Sequence, residues 1–204
     1  SRQAAVGLGL KYIDSGALYR SITWYVLGRD GAVDEHFAFT PDIAAIAIRQ
    51  DFLPDGTSLT FVNGTDVTTM IRDEVIARNI GIISDNRGVR NHINAMLRDW
   101  ARHDSIIMDG RDIGSVVFPD ADLKIYLDAS VEVRAERRIK EYREMGKKVD
   151  ENLIKKQIIQ RDEQDSRRPY GALVRARDAV YIDTSNMPMA HVVDRIKELV
   201  LQIR

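Results

Sequence analysis

Apolar residues recur along the chain at two different spacings, and the change from one to the other predicts its secondary structure. Short segments rich in apolar residues, typical of buried strands, lie at residues 11–14, 105–108, 123–127 and 179–182. Apolar positions three to four residues apart, typical of helices, lie at residues 16–27, 72–83, 87–101, 130–145, 150–166 and 188–204. Single apolar strands separated by helices predict an α/β fold, with a parallel sheet covered on both faces.

The pattern has a different character between residues 41 and 90. Pro41 stands at the first position of a helix, and the Ala- and Ile-rich run after it predicts that this helix continues to Gln50. Strand-like pieces follow around residues 52, 59–62 and 65–67, separated by Pro54-Asp55-Gly56 and Asn63-Gly64. Because Asn-Gly is a strong hairpin signal, this region predicts a small antiparallel insert.

Composition limits the class of protein. The chain has 204 residues, of which 44% are hydrophobic and 30% charged, which fits one compact domain with an insert. The longest uninterrupted apolar run is residues 43–48, far below the roughly 20 residues needed to cross a bilayer, so no membrane partner is expected. There is no Cys, which excludes disulfides and thiolate nucleophiles and favours a cytoplasmic location.

The charge is balanced overall but concentrated locally. Lys and Arg number 30 against 31 Asp and Glu, so no global attraction to nucleic acid is expected. Residues 131–177 nevertheless carry 14 basic against 9 acidic residues, a net charge of +5. Glutamates at helical spacing account for Arg134, Lys140 and Arg143 as a solvated face. Five other arginines of this segment suit phosphate groups, because guanidinium forks match paired oxygens; they are Arg137, Arg138, Arg161, Arg167 and Arg168.

Four of the predicted strands end in an acidic residue: Asp14, Asp109, Asp128 and Asp183. In open α/β sheets, ligands bind beyond the carboxyl ends of the strands, so these side chains would line a site. Each Asp can equally cap the turn or helix that follows it, which is the better interpretation for Asp128 and Asp183.

Two loops at such strand ends carry candidate chemistry. Asp14-Ser15-Gly16-Ala17-Leu18-Tyr19-Arg20 places Ser15 at a helix N-cap and Arg20 one turn later. Asp109-Gly110-Arg111-Asp112-Ile113-Gly114 presents two carboxylates and a guanidinium, unless these residues simply pair with one another. Together with the later arginines, the loops indicate a phosphoryl-transfer site. The four histidines lack metal-ligand spacing, and no Gly-x-Ser-x-Gly or Gly-x-Gly-x-x-Gly motif is present.

These loops, with Val116-Val117-Phe118-Pro119-Asp120-Ala121 and Arg161-Asp162-Glu163-Gln164-Asp165-Ser166-Arg167-Arg168, resemble the bacterial cytidylate kinases over the whole chain. The resemblance implies a P-loop kinase fold, with a three-layer parallel sheet flanked by helices. Residues 1–40 and 91–204 would form the core domain, with a lid at about 131–168, and residues 41–90 the monophosphate-binding insert. It also implies a monomer that transfers the γ-phosphoryl group of ATP, with magnesium, to CMP or dCMP.

The resemblance assigns roles to particular residues. Ser15, Arg20 and Arg111 would hold the CMP phosphate, and Arg90 and Asp112 would face cytosine. Arg161, Asp165 and Arg168 would reach the sugar and phosphates. The candidate catalytic residues are Arg137, Arg138, Arg161 and Asp109, with Arg137 and Arg138 in the lid. No residue of the chain is expected to bind the metal on its own.

The hydrogen-bonding edge of cytosine is complementary to one carboxylate and one guanidinium group. The cytosine edge offers an amino donor beside two acceptors, whereas uracil would set a carbonyl oxygen against the carboxylate. Because an unpaired buried polar group is costly, this pair discriminates between the two bases.

The chain departs from the family pattern in two places. The small hydroxyl that the family uses near the base is replaced by Gly81, so Ser84 or another residue would supply that contact. The phosphate-binding Gly-x-x-x-x-Gly-Lys-Ser/Thr motif does not occur in the 204 residues. Since Ser1 falls within the helix that normally follows that motif, we expect that the motif and a central strand precede Ser1 in the natural protein.

Three alternatives remain open from the sequence. The chain could be a P-loop kinase for another nucleoside monophosphate, such as UMP or AMP. It could be a nucleotide-binding module without catalysis. A nucleic-acid-binding role ranks third, because the basic segment has few interleaved aromatic residues.

Overall fold

The chain divides into two compact units, Ser1–Gly110 and Arg111–Arg204, which are described separately. A computed structural model describes residues 1–144, 146 and 148–203. The predicted helix ends at Met145 and Arg204, and Lys147 of the basic segment, lie outside the described residues. Parallel strand pairs and helices occur in both units, which confirms the α/β class.

The first unit contains a parallel pair of strands and an antiparallel insert. Its elements are α1 Arg2–Leu8, β1 Lys11–Asp14, α2 Ser15–Asp30, α3 Pro41–Ala44, β2 Ile48–Phe52, β3 Ser58–Val62, β4 Thr65–Asp66, a 3-10 turn Met70–Arg72, α4 Glu74–Asp85, α5 Arg87–Trp100 and β5 Ile106–Asp109. Strands β1 and β5 pair in parallel, from Lys11 opposite Ile106 to Asp14 opposite Asp109. The core of this unit lies under α2, α4 and α5, where Leu18, Ile22, Ile83 and Ile93 are fully buried.

The insert forms the predicted antiparallel sheet, in the order β2-β3-β4. Asn63 and Gly64 have φ values of 49° and 82° at the β3–β4 turn, as a hairpin turn with two positive φ angles requires. The prediction that the helix starting at Pro41 reaches Gln50 is wrong, because α3 ends at Ala44 and Gln50 lies within β2. Ile48 is instead buried opposite Val62 of β3, so pairing across the sheet overrides the local helical pattern.

The second unit places a parallel strand pair beside a helical pair. Its elements are a π-helical turn Ile113–Val117, β6 Ile125–Asp128, α6 Val131–Glu144, α7 Glu151–Arg167, β7 Val180–Asp183 and α8 Met189–Gln202. Strands β6 and β7 pair in parallel, with Asp128 opposite Asp183. Helices α6 and α7 pack through Ala135, Ile139, Ile154 and Ile158. None of the helices in the described part of the chain is long and apolar enough to span a membrane.

Candidate functional site

The acidic residues that end the strands are aligned in pairs. The register sets Asp14 beside Asp109 in the first unit and Asp128 beside Asp183 in the second. Asp128 accepts a hydrogen bond from the Ala129 amide and Asp183 from the Ser185 amide, each at 2.8 Å. These two carboxylates therefore cap local turns, as expected. Asp14 is the first residue of one candidate loop, and Asp109 is the first residue of the other.

The loop from Asp14 to Arg20 is held at its start by side-chain hydrogen bonds. Asp14, not Ser15, is the N-cap of α2, since its Oδ1 accepts from the Ala17 amide at 3.0 Å. The predicted cap at Ser15 is wrong because its hydroxyl is engaged elsewhere. Ser15 is buried as the first residue of α2, and its Oγ donates to the carbonyl oxygen of Asp109 at 2.6 Å. This bond ties the two strand ends together.

Arg20 lies one turn further along α2 and reaches the insert. Its Nη1 donates to the carbonyl oxygen of Ile71 at 3.2 Å. Ile71 belongs to the 3-10 turn, whose Arg72 donates to Asp14 Oδ2 at 2.6 Å. The guanidinium of Arg20 is thus partly buried beside the first candidate loop.

Arg90 is a buried arginine, with only 2% of its surface exposed. Its Nη1 donates to the carbonyl oxygen of Ser84 at 2.8 Å, and its guanidinium lies over the Tyr19 ring at 5.5 Å. Tyr19 directly precedes Arg20 on α2, so two predicted binding residues, Arg20 and Arg90, lie in the same region of the first unit. Ser84 Oγ donates to the carbonyl oxygen of Gly81 at 3.1 Å.

Asp109 is held by a tyrosine that the sequence analysis did not single out. Tyr12 Oη lies 3.1 Å from both carboxylate oxygens of Asp109. Partial desolvation of the carboxyl group and the negative charge of Asp14 raise the pKa of Asp109, and the hydrogen bond from Tyr12 opposes that rise. Burial of the phenol and the negative charge of Asp109 raise the pKa of Tyr12. The Tyr12 hydroxyl therefore stays protonated and remains a donor.

In the second unit, three arginines surround one buried carboxylate. Arg111 Nε lies 2.8 Å from Asp165 Oδ2, and Arg168 Nη2 lies 2.9 Å from Oδ1. Arg161 Nε is 3.8 Å from Oδ2. The side chains of Asp165 and Arg168 are only 6% and 7% exposed, so water screens their charges weakly. With three positive charges near one negative charge, this cluster attracts anions.

Asp112 begins the π-helical turn that follows Arg111. Its carbonyl oxygen accepts from the Val116 and Val117 amides at 2.9 and 3.2 Å, and the residue is buried. Arg111 forms an ion pair with Asp165, 54 residues away. Arg111 therefore has an acidic partner outside its own loop.

Arg137 and Arg138, which are neighbours on α6, have different partners. Arg137 Nη2 donates to the Thr184 carbonyl at 2.6 Å, and Arg138 Nη2 donates to Tyr142 Oη at 3.1 Å. Their contacts differ from those of the cluster around Asp165. The arginines and lysine assigned to a solvated face form ion pairs with acidic residues: Arg134 with Asp162, Lys140 with Glu144 and Arg143 with Glu151.

Within the described residues, no group of three or more His, Asp or Glu side chains is placed to hold a metal ion.

Sequence reasoning missed Tyr12, Tyr19, Gln50 and Arg72, all of which contact predicted site residues or the loop beside them. Tyr12 lies two residues before Asp14, and strand alternation could have placed it on the same face as that carboxylate. Gln50 and Arg72 gave no such signal, because their partner is 36 and 58 residues away.

Comparisons with known proteins agree with the resemblance. A family model described as "Cytidylate kinase" matches residues 1–202. The chain is 40% identical over 193 residues to a cytidylate kinase of Geobacillus sp. (strain WCH70), covering 95% of this chain and 86% of that protein. It is 38% identical over 200 residues to a cytidylate kinase of Shouchella clausii (strain KSM-K16), covering 98% and 88%. It is also 38% identical over 193 residues to one of Streptococcus pneumoniae (strain 70585), covering 95% and 86%. The chain therefore belongs to the cytidylate kinase family.

Proposed function

We propose that this protein transfers the γ-phosphoryl group of ATP to CMP or dCMP, giving ADP and CDP or dCDP. The observation that carries the proposal is the match of the cytidylate kinase family to residues 1–202. In the reaction, a phosphate oxygen of CMP forms a bond to the γ-phosphorus. The bond from that phosphorus to the β–γ bridging oxygen breaks, and ADP leaves.

The acceptor phosphate would be held by Arg20 and Arg111, with Ser15 beside them. Arg20 is partly buried in the first unit, and Arg111 belongs to the guanidinium cluster around Asp165 of the second. Bidentate guanidinium contacts orient a phosphate as well as neutralise it. Orientation matters here because phosphoryl transfer depends mainly on positioning and charge stabilisation.

The base would be read by Arg90 and Asp112. Both side chains are buried, at 2% and 4% exposure, which makes an unmatched polar group on the wrong base costly. A carboxylate accepts from the cytosine amino group and a guanidinium donates to its acceptors, whereas uracil presents an acceptor to the carboxylate. Ser84 Oγ donates to the Gly81 carbonyl on the same helix, so Ser84 is the candidate for the role that Gly81 cannot fill.

The sugar would be held by Asp165, with Arg161 and Arg168. Asp165 is acceptor-only when ionised, and a ribose hydroxyl can share its oxygens with the surrounding guanidinium groups. Arg111 and Arg168 contact the carboxylate and hold the cluster together within the protein. A preformed cluster reduces the entropy cost of ordering these side chains on binding.

The transferring phosphoryl group would be stabilised by Arg137, Arg138 and Arg161, with Asp109 as a further candidate catalytic residue. Residues 131–168 would act as a lid, and residues 41–90 as the monophosphate-binding insert. Arg137 and Arg138 contact Thr184 and Tyr142 in this structure, so they would exchange these partners for phosphate oxygens. Magnesium that arrives with ATP supplies further neutralisation of the phosphate charge.

Nucleotides are the proposed partners, with the protein acting as a cytoplasmic monomer that binds neither nucleic acid nor membrane. The net charge of −1 supports the expectation that neither nucleic acid nor membrane is bound, because no overall positive field draws the protein to nucleic acid or anionic lipid.

The proposal is tested on the natural full-length protein by measuring ADP release in a coupled assay with Mg-ATP and CMP, dCMP, UMP or AMP. We expect turnover with CMP and dCMP and little with UMP or AMP. Equal turnover of CMP and UMP would indicate a kinase of broader acceptor range. CMP binding by calorimetry without ADP release would indicate a nucleotide-binding module and contradict the proposal.

A further inference from the structure

The side chain of Gln50 forms two hydrogen bonds with the main chain of Asp14, 36 residues earlier. The Asp14 amide donates to Gln50 Oε1 at 3.1 Å, and Gln50 Nε2 donates to the Asp14 carbonyl oxygen at 2.7 Å. Paired residues of antiparallel strands exchange the same two bonds. The side-chain amide therefore replaces a strand partner at the last residue of β1, because it supplies both a donor and an acceptor.

Asp14 is the residue at which β1 turns into α2, and the insert fixes it from two positions. Its Oδ1 caps α2, and its Oδ2 accepts from Arg72 at 2.6 Å. Gln50 on β2 holds its main chain, while Arg72 in the 3-10 turn holds its side chain. The Arg72 side chain is 53% exposed, so salt and water weaken that contact, whereas the Gln50 bonds are neutral and partly buried.

The direction of the Asp14 peptide groups determines where α2 begins. Ser15 and Arg20, which the proposed function assigns to the CMP phosphate, lie on the first two turns of that helix. Arg20 also contacts the insert through the Ile71 carbonyl. A shift at Asp14 would thus displace both contacts together and weaken binding of the acceptor phosphate equally in the ground state and the transition state, which raises KM without changing kcat.

We infer that Gln50 is a positioning residue for CMP, holding the main chain of Asp14 so that Ser15 and Arg20 meet the acceptor phosphate. This inference rests on the proposed function. It assigns to the insert a role in ordering the acceptor loop. It also predicts that Gln50 affects the acceptor nucleotide and leaves the donor nucleotide unaffected.

The test compares two variants of the natural full-length protein with a control from the same strand. Gln50→Leu removes both bonds, and Gln50→Glu keeps the size of the side chain but cannot donate to the Asp14 carbonyl. Asp51→Asn is the control, because Asp51 pairs with Arg49 on the same strand. Steady-state kinetics gives kcat and the KM values for CMP and ATP. Hydrogen exchange on the nucleotide-free protein reports the amides of residues 13–20.

We expect the KM for CMP to rise about tenfold in both variants, with kcat and the KM for ATP within about twofold of the unmodified protein. Amide exchange in residues 13–20 should accelerate in both variants, and Asp51→Asn should change neither quantity. An unchanged KM for CMP, or equal rises for CMP and ATP, would overturn the inference.

Failure of the proposed function has a different signature. In that case the unmodified protein releases no ADP with CMP, while exchange still accelerates in Gln50→Leu. Gln50 would then be a structural tether only, and its positioning role would be rejected together with the proposed function. Unchanged exchange would reject the positioning role whatever the kinetics.

Discussion

Gly81 lies on α4, at the position where the family resemblance places a small hydroxyl beside the base. A Cβ atom added at Gly81 would meet no other atom within 4 Å, so a serine side chain fits there. Gly81→Ser should stabilise the helix by about 0.5 kcal/mol and Gly81→Ala by about 1 kcal/mol, following helix propensity. We expect only the serine variant to lower the KM for CMP severalfold relative to UMP, as measured by ADP release. If serine and alanine change the KM equally, the hydroxyl has no contact with the base.

Asp109 carries a second residue-scale prediction, about pH. Because its pKa is raised in the folded protein, folding disfavours its ionised form, so its contribution to stability is lost as the pH rises through the folded pKa. Asp109→Asn should therefore raise the Tm relative to the unmodified protein at pH 7 and lose that advantage below the ordinary pKa of Asp, about 3.9. The exposure of Asp109 makes the effect small.

The same substitution separates stability from catalysis. We expect Asp109→Asn to lower kcat while the Tm at pH 7 rises, with Tyr12→Phe as the matched comparison. Tyr12→Phe removes the donor that favours the carboxylate, so the pKa of Asp109 rises further and the acid limb of the pH–rate profile should move to higher pH. An Asp109→Asn variant with a lower Tm at pH 7 would contradict the sign of the shift.

At the scale of elements, local signals predicted most helices and strands, and non-local contacts decided the exceptions. The helix expected to reach Gln50 ends at Ala44, because Ile48 pairs with Val62 in the insert sheet. The cap expected at Ser15 moves to Asp14, because the Ser15 hydroxyl donates to Asp109, 94 residues away. In both cases the local pattern suited either outcome, and a partner distant in sequence selected one.

The start of α7 gives a prediction at this scale. Asp150 was expected to begin this helix, and its Oδ1 accepts from the Leu153 amide at 3.1 Å. Asp150→Ala should lower the free energy of unfolding by about 1 kcal/mol, since an N-cap is lost. Asp150→Asn is the matched control, because Asn caps as well as Asp, and its unfolding in urea should match that of the unmodified protein. Equal losses in both variants would show that charge, and not capping, is responsible.

At the scale of the whole molecule, the sequence predicted the residues of the candidate site better than it predicted which of them contact one another. The basic excess at residues 131–177 is visible in composition, and Asp165 with its three arginines was assigned through motif resemblance. The local sequence could not predict that Asp165 is the carboxylate that pairs with Arg111, because 54 residues separate them. Long-range ion pairs depend on the packed fold, which periodicity does not specify.

That concentration of charge predicts how salt acts on the enzyme. Residues 131–177 carry a net charge of +5, whereas the rest of the chain carries −6, so nucleotide attraction is local and open to screening. Between about 0.05 and 0.3 M salt, screening shortens the range of surface attraction to below about 10 Å. ATP carries more negative charge than CMP, and its proposed contacts lie in the lid at residues 131–168. The KM for ATP should therefore rise more steeply with sodium chloride than the KM for CMP, because the proposed CMP contacts include buried groups such as Arg90. Steady-state kinetics at matched osmolality, with sucrose replacing salt, separates charge screening from osmotic effects. Equal salt dependence of the two KM values would mean that charge screening in the basic segment acts no more strongly on the donor nucleotide than on the acceptor.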